Sequence, residues 1–497
     1  MSLPEQDLRG ETLTKTCLRE PALALIHSLA QKERRTAFVV GGAIRDLLLG
    51  LKPVDFDIAG SVAEESFVRE VANHLGASWF RLDHRQTVFR IVRKADDEAG
   101  RFIDFTGLRG PTIREDLRRR DFTINSMALD LFHPERGLID PLNGESDLRQ
   151  RLLRLSDPSA FEDDPLRILR AYRFAAQIGA RLDLNLQRAL KTNSGLKAVS
   201  GERVRDEWNL ILDGERASSI VRDMDRDGVL SVLFPFIDRM RGVSQNEYHH
   251  LDVWEHSLFA LERLEQHIRT LQSIPVEHRS RVRDYLAEEM VPDRKRSFWL
   301  KLATLFHDVG KPECRFVDQG GRVRFFRHEF VGSERIVPLL ARVAPARREA
   351  EWVRNLVRNH MRIGQILTLP RVTPRAMGRC VQRAGTDFWG WVLLFLADYE
   401  ATLGPKSAGG DLSHVTPRLY NLTAIYIEKS LPDRRRAPLI NGNDIRSIFE
   451  LPPGPIYGKI LRRIELGVIE GSIRTREEAL GEARKIVEGV TGTTAAP

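Results

Sequence analysis

TAFVVGGAIRDLLLGLKPVDFDIAG, residues Thr36 to Gly60, packs a strand, a turn, a helix and a second strand into one short stretch. Ala37 to Val40 is an apolar run of strand length. Gly41 and Gly42 follow, where missing Cβ atoms permit a sharp turn and a close approach by a ligand. A helix opening at Ala43 turns its unpaired N–H groups and the positive end of its dipole toward that turn, a seat for phosphate. After Pro53, Val54–Ile58 reads as the second strand. Its alternation sends Asp55 and Asp57 to one face and Phe56 and Ile58 to the core. Paired carboxylates beside a phosphate seat are the oxygen set that Mg²⁺ takes while bridging to a substrate's phosphates. A Gly-Gly pair or an Asp-x-Asp pair says little alone; their order and spacing carry the reading.

The run from Gly41 to Asp46, a short gap and then Asp55 to Asp57 resemble the nucleotidyltransferase signature of the polymerase-β superfamily. More closely they resemble the tRNA nucleotidyltransferase and bacterial poly(A) polymerase family. The resemblance implies an α+β N-terminal nucleotidyltransferase head of polymerase-β type, then all-α neck, HD and C-terminal helical domains. It implies that Asp55 and Asp57 hold two Mg²⁺ ions, that Gly41, Gly42 and Arg45 cradle a triphosphate, and that Asp46 belongs to the same nucleotide site.

On either side of the motif the chain reads as a small α+β domain, residues 36–150. A helix over Ala63–Leu75 and strands over Ser78–Leu82, Thr87–Val92 and Phe102–Phe105 follow it. Before it, residues 1–35 read as an exposed arm and a helix, Pro21–Lys32, with Leu23, Ile26 and Leu29 on one face. Asp104 is either a surface strand residue or, by the resemblance, a third carboxylate near the metals. The run EDLRRRDFTINSMALD, Glu115–Asp130, holds Arg118, Arg119 and Arg120, which alone read as a solvated face or a nucleic-acid patch. Followed by Asp121, Phe122, Thr123 and Asn125 they match the family's RRDFTxN motif. This places Arg120 and Asp121 by the sugar and triphosphate, with Asn125 in support. A guanidinium fork suits phosphate oxygens and a carboxylate suits a ribose hydroxyl.

From Pro141 onward strand signals vanish and helical periodicity dominates, giving a neck over 151–240. In FEDDPLRILRAYRFAAQIG, Phe161–Gly179, Pro165 reads as the first helical residue with Asp164 as N-cap. Arg167, Arg170 and Arg173 recur every third residue beside an apolar face, which a cap does not explain. In bacterial-type (class II) relatives an EDxxR motif here acts as an amino-acid template for the incoming base. DDPLR carries Asp164 and Arg167 to those positions, one turn apart, with Asp163 where the family has Glu and Arg170 in the nucleotide site. Ser200–Leu210 continues the neck, with Glu202 and Arg203 in structural roles.

Between 241 and 405 a second set appears: His256 in VWEHSLFALERL, His307 and Asp308 in KLATLFHDVGK, then His328, His360 and Asp398. A lone histidine on an apolar helix is ordinarily a satisfied core residue. The order here resembles the HD phosphohydrolase superfamily, which implies ligands His256, His307, Asp308 and Asp398, with His328 and His360 at a second metal position. Imidazole with carboxylate suits a divalent transition metal such as Mn²⁺, Ni²⁺ or Fe²⁺. Residues 273–296 read as a loop or short helix inserted between the ligand-bearing helices.

The final segment, 406–497, resembles the tRNA-binding helices of the family. Arg434–Arg436 and Arg462–Arg463 fit either backbone contacts with RNA or a solvated helical hairpin, and TGTTAAP at the end reads as a disordered tail. A formal charge of +8 on 497 residues is a weak pointer to a polyanion. Cys17, Cys314 and Cys380 are too scattered for a disulfide framework or a CxxC site, and no signal peptide or membrane-length apolar run is present. A soluble protein of the cytoplasm, with no membrane partner, is expected.

The activity the resemblance implies is addition of CMP from CTP, and in a full CCA enzyme AMP from ATP, to the 3′ end of tRNA. Only Gly110 to Arg114 is available where CCA- and A-adding relatives carry a flexible loop. A shortened loop goes with CC-adding members, whose partner is a separate A-adding enzyme. Gly60 departs from the family's usual Thr or Ser. The alternatives are a poly(A) polymerase of the same fold, or an RNA-end phosphohydrolase acting through the HD domain. A pure RNA-binding protein would not need both carboxylate clusters.

Overall fold

Phe38–Val40 (β1) and Asp55–Ala59 (β2) pair antiparallel with Val40 opposite Asp57, so the turn at Gly41 closes beside that carboxylate. The computed structural model describes residues 10–83, 87–93, 102–192, 194–214, 216–369, 371–402, 411–427, 439–452, 454–470, 472–473 and 475–491. Ser78–Asp83 (β3), Val88–Val92 (β4), Phe102–Thr106 (β5), Ala128–Asp130 (β6) and Leu138–Ile139 (β7) complete one sheet, in the order β3-β4-β5-β2-β1-β6-β7. β2 and β5 run parallel with Asp57 beside Asp104, and β4 lies antiparallel to β5 with Arg90 opposite Asp104. The alternating apolar residues Phe56, Ile58, Ile91, Ile103 and Phe105 bury one face under the helices Pro21–Lys32 and Glu65–Leu75. Each such side chain contributes about 1.5–3 kcal/mol on full burial. The polar residues Asp55, Asp57, Arg90 and Asp104 are left to the other face.

Several expectations need correction. The arm before the head is not wholly exposed: Gly10–Cys17 forms a helix whose Leu13 and Cys17 are buried in the head core. Strands do not end at Pro141, because Leu152–Leu153 (β8) pairs parallel with Arg181–Leu182 (β9), and two residues are too few to leave a periodic signal. Asp164 is not a helix N-cap. A short helix, Ala160–Asp163, ends at Asp164, which proline forces into an extended conformation, and the next helix begins only at Arg167. Asp164 instead accepts the Leu166 N–H at 3.2 Å, closing the turn.

Residues 1–216 and 223–233 form one unit, and residues 217–222 and 234–497 a second. Helices Val253–Thr270, Arg296–Leu305, His328–Leu340, Arg347–Asn359 and Phe388–Glu400 make the body of the second. The 273–296 insertion is more ordered than a loop: a helix, Arg279–Ala287, leads into a hairpin, Glu289–Val291 (β10) with Arg294–Lys295 (β11). A second hairpin, Arg315–Val317 (β12) and Val323–Phe325 (β13), follows. Three C-terminal helices, Gly442–Phe449, Pro455–Glu470 and Arg476–Thr491, close on Ile445, Ile460, Ile464 and Ala479. Arg463 pairs there with Glu482 at 2.8 Å. Arg434–Arg436 and the last six residues lie outside the described residues. No helix among the described residues is long and apolar enough to cross a membrane.

Candidate active site and a second metal-ligand cluster

The polar face of the sheet opens into a cavity of about 520 Å³. It is lined by Gly41, Gly42, Arg45, Asp46, Asp55, Asp57, Arg120, Asp121, Asn125, Asp164, Arg167 and Arg170, so the head and neck residues expected at the metal and nucleotide site meet here, with Asp104. Gly41 has φ +75°, and a Cβ on it would lie 3.1 Å from Asp57 Oδ2 and 3.2 Å from Arg120 Nη1. Only glycine lets the turn close on that carboxylate. The unusual Gly60 has its own cause: φ is +143°, and a Cβ would meet the Thr36 carbonyl oxygen at 2.2 Å.

Burial raises the Asp57 pKa, Arg120 opposes that, and the neighbouring Asp104 and Asp55 charges add to it. Such a cluster of hard oxygen donors suits a divalent cation. Asp104 is held by Arg90 through two bonds, Nε to Oδ1 and Nη2 to Oδ2, both 2.7 Å. The same guanidinium feels the Asp55 and Asp57 charges. Among the described residues, three or more metal-type donors approach within 4.8 Å only in the second unit, so the head cluster is looser.

Around these carboxylates the arginines are fixed by partners. Arg120 is held by buried Asp116 at 3.2 Å. Asp121 receives Arg170 Nε at 2.8 Å, Asn125 Nδ2 at 3.1 Å and the Phe122 N–H at 2.8 Å. Burial opposes the Asp121 charge, but Arg170 and these donors bring its pKa down to about 2. Arg45 donates to Asn125 at 2.9 Å and to Asp46 at 2.7 Å. Arg167 donates to the backbone carbonyls of Arg119 at 3.1 Å and Ala160 at 3.2 Å. Phe174 packs beneath Arg173, Arg45 and Arg170, at 4.1, 4.9 and 5.5 Å.

Sequence reasoning missed Arg90, Asp116 and Phe174. It also gave Arg203 no place in the site, whereas Arg203 pairs with Asp164 at 2.8 Å. The every-third-residue arginine pattern pointed toward Phe174's neighbours. Nothing local marks Arg90, whose partner is set by strand pairing.

In the second unit His256, His307, Asp308, His328, His360 and Asp398 converge beside a cavity of about 360 Å³. His256 Nε2 lies 2.9 Å from Asp398, and His307 Nε2 lies 3.1 Å from Asp308 and 3.5 Å from Asp398. His328 and His360 reach Asp308 Oδ1 at 3.3 and 3.7 Å. All four histidines turn Nδ1 toward a carbonyl: His256 to Ala401 at 3.4 Å, His307 to Thr304 at 2.8 Å, His328 to Phe325 at 2.8 Å and His360 to Val357 at 2.7 Å. That tautomer leaves each Nε2 lone pair facing inward, the arrangement metal-binding histidines adopt. His307 and Asp308 are fully buried with their side-chain donor atoms turned toward one another, a mixed imidazole–carboxylate set that suits a cation. Burial works against charging His307, but Asp308 and Asp398 outweigh it and hold its pKa at about 10; burial and neighbouring histidines push His360 down to about 3. Lys311, unremarked in the sequence, reaches Asp308 at 2.5 Å and lines the cavity.

Residues 37–154 match the family described as Poly A polymerase head domain, 181–241 the probable RNA and SrmB-binding site of polymerase A, and 419–483 the putative tRNA nucleotidyltransferase domain 2. The chain is 31% identical to the A-adding tRNA nucleotidyltransferase of Deinococcus radiodurans, over 92% of this chain and 97% of that one. It is 32% identical to the CC-adding tRNA nucleotidyltransferase of Thermus thermophilus, over 90% and 92%. The fold superposes on the Thermotoga maritima CCA-adding enzyme complexed with tRNA, with TM-score 0.61 at 23% identity over 97% and 98% of the two chains.

Proposed function

The chain belongs to the tRNA nucleotidyltransferase family, and on that premise we propose that it adds two CMP units to the 3′ end of tRNA. The observation that carries the CC reading is the connection from β5 to the helix Ile113–Arg118. It is only residues 107–112, with no length for the flexible loop of CCA- and A-adding members. The likeness to an A-adding enzyme favours a second reading, terminal addition of AMP. One assay decides: a tRNA transcript lacking CCA is incubated with Mg²⁺ and CTP, ATP or both, and its ends are sequenced. Ends that stop at CC with both nucleotides present are expected, and a separate A-adding enzyme is then the implied partner. A CCA end would remove the loop argument, and long A tails from ATP alone would favour a poly(A) polymerase.

Asp55, Asp57 and Asp104 are the residues to hold two Mg²⁺ ions. Mg²⁺ held by them would supply charge that favours loss of the 3′-hydroxyl proton and offsets the charge on the leaving pyrophosphate. Arg45 and Arg120 orient the triphosphate, with their guanidinium planes preset by Asn125 and Asp116. Asp121, charged at neutral pH, is suited to accept from a ribose hydroxyl. Asp164 and Arg167 meet the base edge, and Arg203 aims the Asp164 carboxylate.

Two consequences follow. Asp164→Ala is expected to raise misincorporation of UMP relative to CMP by roughly 10- to 100-fold, since a good polar base contact is worth about 1–3 kcal/mol of discrimination. Single-turnover rates with each nucleotide check it, and an unchanged ratio removes Asp164 from base selection. Arg90 competes with a cation for Asp104, so Arg90→Gln is expected to tighten Mn²⁺ binding without nucleotide by about tenfold, roughly 1.4 kcal/mol. Electron paramagnetic resonance titration reads this directly.

The second-unit cluster we read as a metal-dependent phosphohydrolase site for RNA ends. Its mixed imidazole–carboxylate donors favour Mn²⁺, Ni²⁺ or Fe²⁺. A metal held there would activate water for attack on a phosphoester, with Lys311 placed to meet the phosphate.

A further inference from the structure

The β12–β13 hairpin leaves the second-unit cavity just after Lys311 and returns just before His328, so both its roots are cavity residues. Its register sets Phe316 opposite Arg324 and Arg315 opposite Phe325. Residues directly opposed across a strand pair share a face, so each face of the ribbon carries an aromatic ring beside a guanidinium. Phe316 is 55% exposed and Phe326 65%, with Val317 at 45%. Arg315, Arg322, Arg324 and Arg327 are also exposed. Between Arg315 and Arg327 the one acidic residue is Asp318. It is engaged within the turn, accepting the N–H groups of Gly320 at 3.0 Å and Arg322 at 2.9 Å and pairing with Arg324 at 3.2 Å. Large aromatics left in water on a ribbon too thin for a core of its own mark a contact surface.

We propose that this hairpin docks single-stranded RNA and feeds its 3′ end to the histidine–aspartate cavity, an inference that rests on the phosphohydrolase reading of that cavity. Rings with interleaved cations are the means by which proteins hold single strands without reading sequence, bases stacking on the aromatics while arginines meet the phosphates. The surface is continuous with the chemistry. Phe325, next to Phe326, lies with its ring 5.4 Å from Lys311 Nζ, and Lys311 pairs with Asp308. Phe326 lies in the chain between the cavity residues Phe325 and His328, so a strand held there ends beside the histidine–aspartate cluster. A folded tRNA body is not required for this contact.

The test uses the full chain and a short single-stranded RNA, without tRNA body, carrying 4-thiouridine a few nucleotides before its 3′ end. Photo-crosslinked peptides are mapped by mass spectrometry in the wild type, in Phe316→Ala/Phe326→Ala and in Asp308→Asn. The expected result is adducts within residues 315–327 in the wild type and in Asp308→Asn, reduced at least about tenfold in the double phenylalanine variant. Adducts in the head persist there. Adducts confined to residues 36–178 in the wild type, or unchanged by loss of both rings, would overturn the proposal. Hydrolysis of a small phosphodiester with Mn²⁺ is measured in parallel. If the wild type fails that assay, the metal-site reading fails, while the crosslinks still judge the surface by themselves.

Discussion

Asp57→Asn is expected to lower kcat for CMP addition by at least about a thousandfold, roughly 4 kcal/mol, because metal-borne charge stabilisation is worth several kcal/mol in the transition state. Asn keeps the shape that packs against Gly41 and Arg120, so the change removes charge and one metal ligand rather than the turn. Of the two carboxylates on β2, Asp57 is the more enclosed, paired in register with Val40 and Asp104. Burial disfavours its charge and Arg120 opposes that, so a bound cation adds to the stabilisation of the ionised form. Filter binding of tRNA is expected to stay within about twofold, since the phosphate-binding residues remain. A variant retaining a tenth of wild-type kcat would remove Asp57 from the chemistry.

The second large effect is expected at Asp308. One carboxylate stands in two candidate ligand groups, His256–His307–Asp308 and Asp308–His328–His360. Asp308→Asn therefore disables both at once, and metal-dependent phosphodiester hydrolysis is expected to fall at least about a thousandfold with bound metal lost. His256→Ala touches only one of those groups and is expected to leave part of the metal bound. Removing the carboxylate also strands the charges on Lys311 and His307, which in the metal-free protein costs about 3–5 kcal/mol for a buried pair. CMP addition by the same polypeptide is the internal control. If it stays within about twofold while hydrolysis disappears, the two chemistries are separate. If hydrolysis survives, the cluster is structural.

Legibility in the sequence followed the range of the interactions. Gly41, Gly42, Asp55 and Asp57 stood out because a turn and a strand alternation are local, and the structure places them in one cavity. Arg120, Asp121 and Asn125 stood out through a motif with fixed spacing. Arg90 did not, because its partner Asp104 is on a neighbouring strand and hairpin register is not written in either segment. The pairing of Arg203 with Asp164 is longer still in sequence. Asp164 itself was misread as a cap because Asp-Pro is an ordinary helix start. Here the preceding short helix, Ala160–Asp163, takes up the space, and the new helix waits until Arg167. Strands β8 and β9 escaped for a simpler reason: two residues have no period.

Arg167 has a consequence for how such a chain drifts over generations. Its fork grips main-chain carbonyls, those of Arg119 and Ala160, rather than side chains. Residue 119 is therefore free, as far as this contact is concerned, to change identity without loosening the grip. Position 167 has no such freedom, since a lysine ammonium offers no planar fork to reach two carbonyls at once. Inherited variation is then expected to pile up at 119 and to be purged at 167, an asymmetry that a mutational scan of both positions would display.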